Sequence, residues 1–474
     1  MRRNILSSFF ILFSFSVFSQ DQLVTAPKYQ RHDVYAAPEV HENANLILDL
    51  PFLDLPYIQY AAKTTGNTDQ PSFSNYLNSY ANPGMNVSLG LSYSSYATLH
   101  YGIKRIVTID NKFWHNVIVG LGVGAVDLGL RYAPLGSNWL HNEFTKSVMS
   151  KNFINGQNEM YHFSNGLAHV THVTDADLAS LKAKNNPDFV RMQVAGMEGE
   201  YLLIDKLQRT NFFYRSNLPN LILYWFTTLK NVNAINEQTD ITAGNNLINK
   251  EVNFAGNDPS KIDYTGLEYT SWAHNLFNPS EKFTHRYNSP ENFTKEAIAY
   301  MRTQANLHYI NAISPLMFGI KGIVVKKDEI GNSWRLNFTG RHLFTSFGND
   351  VSAKFYFQTP KNNWVFTLHH YNNLKNSFQG LETELLDVII KTANKDIEMS
   401  FKTMVWRQPK NNDFYTSSAQ AGGLLGVKFQ YPLTKNLRPY LEVEGKTAGW
   451  VAGHVFLGSN VNVRLGVNAV FGGQ

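Results

Sequence analysis

Three groups of residues carry the types and spacings from which chemistry could be built. The first is WLHNEFTKSVM, Trp139 to Met149. A helical His-Glu-x-x-His places two imidazoles one turn apart on a zinc ion, and its Glu activates a water. Aligning Glu143 on that Glu puts Asn142 and Lys146 where the two histidines belong. His141 is displaced by one residue, about 100° around a helix. Three readings follow: an unusual His/Glu metal site with Glu143 as the base, a peptidase-like helix without metal, or an ordinary amphipathic helix. The second group is LAHVTHVTD, with His169 and His172. A spacing of three joins two imidazoles on one face only in a helix. This stretch is β-branched and alternating, so it reads as a strand with the two rings on opposite faces. The third is AGMEGEYLL, where Glu198 sits in a patch of small residues. It is a candidate third metal ligand or base, or a partner for Arg191, and the ion pair is the simpler expectation. His274, beside aromatics, reads as structural. No Gly-x-Ser-x-Gly elbow and no phosphate loop is present.

The elements that must position these groups differ along the chain. Residues 84–312 carry helical signals. Thr174 and Asp177 resemble a capping box before DLASLKAKN. Asn186-Pro187-Asp188 opens PDFVRMQVAGMEGEYLLIDKLQR, read as one helix. Ser289-Pro290-Glu291 is expected to start a helix running to about Ile310. Leu218 to Lys230 is a further candidate. VIVGLGVGAVDLGL, 117–130, is ambiguous between strand and helix. It is too short to span a membrane and contains Asp127, so a buried core segment is expected. Residues 20–83, with Pro27, Pro38, Pro51, Pro56, Pro71 and Pro83, read as an extended arm packed on the rest.

The first 19 residues join Arg2 and Arg3 to an apolar run from Ile5 to Phe18, with small residues near Ser19. That is the pattern of a secretory signal peptide. The chain has no cysteine, which excludes a lipid-anchored cysteine, disulfides, thiolate metal sites and a cysteine nucleophile. The formal charge is +5 and no Lys/Arg run stands out, so nothing points to nucleic acid.

From about residue 314 the period becomes two. Trp334, Leu336 and Phe338 alternate with Arg335, Asn337 and Thr339. Val461, Val463, Leu465 and Val467 alternate with Asn462, Arg464 and Asn468. Some eight or nine such runs are separated by turn-like stretches such as EIGNS and QPKNND. Soluble and membrane barrels both alternate, with opposite faces inward. The last run, Arg464-Leu465-Gly466-Val467-Asn468-Ala469-Val470-Phe471, is polar, any, Gly, any, any, apolar, any, aromatic. It resembles the C-terminal insertion signal of the outer-membrane β-barrel proteins of Gram-negative bacteria, although Gly472-Gly473-Gln474 follow the aromatic. The resemblance covers eight residues. It implies a transmembrane barrel with charged side chains inward, where Arg335, Arg341, Lys354, Glu398, Lys402, Lys428, Glu442, Glu444 and Arg464 would meet as ion pairs.

The expected fold is therefore α+β. A signal peptide (1–19) and an extended arm (20–83) precede an α-helical domain (84–312) and a small antiparallel transmembrane barrel of about eight strands (313–474). The expected location is the cell outer membrane, with outer-membrane lipid and an envelope protein as partners. The expected role is an anchored accessory or structural subunit of an envelope assembly or export machine, with the helical domain as docking surface. The alternative is an envelope metal-dependent hydrolase. It would use Glu143 as base and His141, His169, His172 and Glu198 as ligands, with zinc as its cofactor.

Overall fold

The computed structural model describes residues 46–64, 82–162, 169–214, 218–258, 261–320, 322–327, 333–360, 362–391, 396–434 and 436–471. The signal-peptide reading lies outside them. The described fold is α+β, with helices followed by a large antiparallel sheet. Eleven α-helices lie among the described residues: α1 Tyr57–Thr64, α2 Met85–Ile106, α3 Lys112–Leu130, α4 Ser137–Lys151, α5 Asp175–Lys184, α6 Asn186–Met192, α7 Ala195–Phe213, α8 Leu218–Thr239, α9 Ile241–Ala255, α10 Glu268–Phe277 and α11 Lys295–Leu307. The strands are β1 Leu46–Leu55, the short pair β2 Gln157–Asn158 and β3 Val170–Thr171, then β4 Ile323–Lys327, β5 Ser333–Thr345, β6 Gly348–Gln358, β7 Asn363–Asn372, β8 Ser377–Ile390, β9 Ile397–Pro409, β10 Ala419–Gln430, β11 Leu437–Lys446 and β12 Asn460–Phe471.

The main sheet has ten strands in the order β1-β12-β11-β10-β9-β8-β7-β6-β5-β4, not the eight expected. One of the two additional strands comes from the N-terminal arm. β1 pairs with β12 from Leu46 opposite Phe471 to Leu55 opposite Val463. Among the described residues no ladder joins β1 to β4, so strand pairing does not close the sheet into a barrel.

Helices cover both open edges instead. The Ser94 hydroxyl of α2 accepts from the Asp49 N–H of β1 at 3.0 Å and donates to its carbonyl at 2.9 Å. Gly90 makes this approach possible, because a Cβ there would lie 2.4 Å from Pro51. On the far side β4 covers only the start of β5, Ser333 to Leu336. Beyond it the edge bonds to the 3₁₀ segments of residues 308–318. Gly340 N–H donates to Ile313 O at 2.7 Å, Ser314 Oγ donates to Phe338 O at 3.3 Å, and Asn311 exchanges bonds with the main chain of His342. α8 bridges the two coverings: Asn220 reaches His100 of α2, and Trp225 Nε1 donates to Met317 O. Unpaired strand edges must be covered somehow, and here a helical wedge does it.

The curled sheet encloses α7. Lys206 pairs with Asp49 of β1, Lys354 of β6 holds Asp205 at 2.9 Å, and Arg209 grips Glu384 of β8 at 2.8 Å. One helix can touch strands so far apart in the order only if the sheet wraps around it. α10 and the first turn of α7 lie at the end where β5–β6, β9–β10 and β11–β12 turn. There Trp272 Nε1 donates to Thr345 O, Tyr415 Oη donates to Phe277 O, and Gly453 N–H donates to Glu198.

Several local expectations need correction. Ser289-Pro290-Glu291 makes a single 3₁₀ turn, Pro290–Asn292. Phe293 is extended, and α11 starts later, where Thr294 Oγ1 accepts from Ala297 N–H at 3.1 Å. The helix expected to run through 187–209 breaks at Gln193 and Val194 into α6 and α7. The break sets Gly196 and Gly199 against α4, with no room for a Cβ beside the rings of His141 and Phe144. The ambiguous run is the helix α3, started by Asn111 Oδ1 accepting from Phe113 and Trp114 N–H. It is not a buried core segment, for only Val119, Gly120, Val123 and Asp127 are buried along it.

Candidate functional site

Where the wall is complete, its two faces are inverted relative to a soluble sheet. Val405 (61 % exposed), Leu425 (63 %) and Val461 (61 %) point outward, with Leu368, Leu381, Phe429, Leu437 and Leu441 exposed beside them. The inward positions are Arg341, Glu382, Glu384, Glu398, Arg438, Glu444 and Arg464, all buried. These charges are paired, as burial demands. Arg438 meets Glu398 at 2.6 Å, and Arg464 meets Glu444 at 2.6 Å and Glu442 at 2.8 Å. α7 supplies further partners: its Asp205, Gln208 and Arg209 answer Lys354, Arg341 and Glu384. A cavity of about 390 Å³ remains beside α7, lined by residues such as Arg209, Lys354, Lys402, Glu442 and Arg464.

The second site is in the helical part. α4 and α7 pack closely at Gly196 and Gly199, which brings His141 against the carboxylate of Glu200. His141 Nδ1 lies 3.1 Å from Glu200, and Nε2 lies 2.8 and 2.9 Å from the two oxygens of Glu268 on α10. Lys230 of α8 pairs with the same Glu200 oxygen that meets His141, and Tyr264 Oη donates to Glu268 at 3.1 Å. Burial pushes the His141 imidazole toward neutrality, but Glu268 and Glu200 together outweigh it and raise its pKa to about 9. Burial raises both carboxyls, yet Lys230 and His141 hold Glu200 below the usual range, and His141 does the same for Glu268. At neutral pH the ring is thus an imidazolium donating from both nitrogens.

The other candidate residues are distributed around this hub. The His169 ring lies 5.7 Å from that of His141, and burial lowers its pKa to about 4. His172 leaves the cluster: it follows β3 with φ 60°, is exposed, and its Nδ1 lies 2.9 Å from Oγ1 of its neighbour Thr171. Glu198 is turned away, held by Arg191 Nη2 at 3.0 Å and by Gly453 N–H at 2.7 Å. Glu143 is buried beneath His141, accepting from Asn158 Nδ2 at 2.8 Å and Lys146 Nζ at 3.4 Å, and burial raises its pKa. Asn142 spends its amide on Asn158 and the His169 carbonyl. Among the described residues, no three His, Asp or Glu side chains converge as a metal site. Sequence reading missed Glu200, Lys230, Tyr264 and Glu268. Glu200 lies two residues from Glu198, but helix rotation alone could not say which carboxylate faces α4.

No family model, curated protein or solved structure matches this chain.

The hub makes stability depend on pH with a definite sign. His141 binds its proton more tightly when folded, so its contribution is fully present below about pH 6.5 and is lost as pH rises through about 9. The shift corresponds to on the order of 3 kcal/mol. Glu268 has the opposite sense: its contribution is present above its usual pKa of 4.5 and is lost as pH falls. The melting-temperature gap between wild type and His141→Gln should therefore be widest near pH 5.5 and shrink steadily toward pH 9. A gap that stays constant or widens over that range would mean that His141 is buried neutral.

Proposed function

We propose that this chain is an outer-membrane-anchored structural subunit of the cell envelope, with its helical part as a docking surface for an envelope protein. The single observation that carries this reading is the inverted sheet. Exposed aliphatic side chains on one face and buried, paired charges on the other are a poor solution in water and a good one in a bilayer. The C-terminal Arg464–Phe471 pattern points the same way. α7 and its ion pairs occupy the space a porin would leave to water, which favours an anchor over a channel.

The test is a pair of substitutions on one strand. Leu465 lies on the outward face of β12, while Asn468 faces inward and donates to Gln430. Leu465→Arg should reduce folded protein in the membrane fraction far more than Asn468→Arg. An arginine facing lipid at the midplane costs about 2–4 kcal/mol, whereas the interior already accepts charge. Equal tolerance of the two, or the reverse order, rejects a lipid-facing sheet.

A further inference from the structure

We infer that α3 is part of the lipid-facing wall: a helix lying in the same bilayer as the strands and covering the seam that strand pairing leaves open. The inference rests on the proposed membrane reading of the sheet and goes beyond it, because it makes the wall a hybrid of strands and helix.

The stripe that α3 turns outward is wholly apolar. Trp114 (57 % exposed), Ile118, Leu121 (66 %), Ala125 and Leu128 recur at spacings of four and three, the period of one helix face. The opposite stripe, Val119, Gly120, Val123 and Asp127, is buried. Val119 and Val123 pack on Ile222 of α8, and Asp127 is bonded at 2.7 Å to His100 of α2. A surface helix in water turns charged and polar residues outward, whereas α3 is apolar on both stripes apart from the buried Asp127, the composition of a helix with no face in water.

Its position and dimensions fit the bilayer as occupant of this face. α2 covers the free edge of β1, and α3 packs on α2 and α8, the two helices that span the seam. The exposed Leu50 and Phe52 of β1 extend the outward apolar surface toward it. Nineteen residues give a helix of roughly 28 Å, close to the ~30 Å hydrocarbon core. Lys112, Phe113 and Trp114 stand at one end and Arg131 and Tyr132 at the other, the aromatic and basic pairing that marks a membrane interface. α3 is also the one helix among the described residues that is long and apolar enough to cross a membrane.

The chain lacks cysteine, so single cysteines can be introduced and spin-labelled without background. The full protein would be reconstituted in phosphatidylcholine vesicles with one label at Leu121→Cys, Leu425→Cys on β10, or Ile241→Cys on the helical part. Accessibility to oxygen, which concentrates in lipid, is compared with that to a water-soluble nickel complex. We expect oxygen to dominate at 121 and 425, and nickel at 241. Oxygen at 425 with nickel at 121 overturns the inference and leaves the membrane reading standing. Nickel at both overturns the membrane reading and the inference with it. Oxygen at 121 with nickel at 425 rejects a shared wall. Dipolar broadening at 121 means that a second copy of the chain covers α3, which also overturns the inference. As an independent measurement, Leu121→Arg should reduce membrane-inserted protein at least about ten-fold, and unchanged insertion counts against the inference.

Discussion

Deleting residues 464–474 is expected to abolish membrane insertion. β12 is not an edge strand: it bonds to β11 on one side, through Leu437 opposite Ala469 to Lys446 opposite Asn460, and to β1 on the other. Its loss removes the inward Arg464, which pairs with Glu442 and Glu444, and leaves Glu444 with His454 in its place. It also detaches β1, and with β1 goes the edge that α2 covers. Two unpaired edges cannot be accommodated in a bilayer. The Arg464–Phe471 pattern, which resembles an insertion signal, is lost in the same cut. Fractionation and heat-modifiability on a gel report the outcome. Removing only 472–474 should leave insertion intact, since Phe471 then becomes the terminus. A 464–474 deletion that still inserts and remains heat-modifiable would falsify both the central role of β12 and the signal reading.

Arg191→Met should cost about 3–5 kcal/mol, the usual penalty for removing one partner of a buried ion pair. Arg191 is fully buried, and its guanidinium holds Glu198 at 3.0 Å while reaching the Val451 carbonyl at 3.5 Å. Glu198 in turn accepts the Gly453 N–H, so the pair ties α6 and α7 to the β11–β12 turn. Methionine fills similar volume but leaves the carboxylate buried with one main-chain donor. For a chain of this size the melting temperature should fall by roughly 3–5 °C. The double substitution Arg191→Met/Glu198→Met should recover most of that loss. Among the described residues Nε and Nη1 of Arg191 have no hydrogen-bond partner, so the native pair offsets its own desolvation poorly. Thermal unfolding of the two single variants and the double variant decides the matter, and additive losses would mean that the two side chains act independently.

Part of this molecule was legible in the amino-acid order because it follows from local periodicity. The change to a period of two near residue 314, the charged and apolar alternation of β12, and the helix starts at Thr174 and at Asn186-Pro187-Asp188, where the cap is one residue earlier at Asn185, depend on side-chain direction and capping over a few residues. The pairing of Glu198 with Arg191 was also within reach, since seven residues are two helical turns, although the chain breaks between them at Gln193 and Val194. What tertiary structure alone decided has one common cause: partners distant in sequence. Leu46–Leu55 is a strand because β12 needs a neighbour 400 residues away, so the arm supplies an extra strand to the sheet. The 289–293 stretch, whose Ser289 and Glu291 both bond Asn245 of α9, makes a single 3₁₀ turn, and the helix starts at Thr294 instead. Asp127, which reads as a mark against a membrane helix, is neutralised in effect by His100 on another helix, and this frees the apolar stripe of α3 to face outward. His141 had the right chemistry, but its partners Glu200 and Glu268 come from α7 and α10, and no spacing within α4 could reveal them. Period and capping are local and can be read along the chain; burial of a charge is a contract between elements, and only the packed fold shows who signs it.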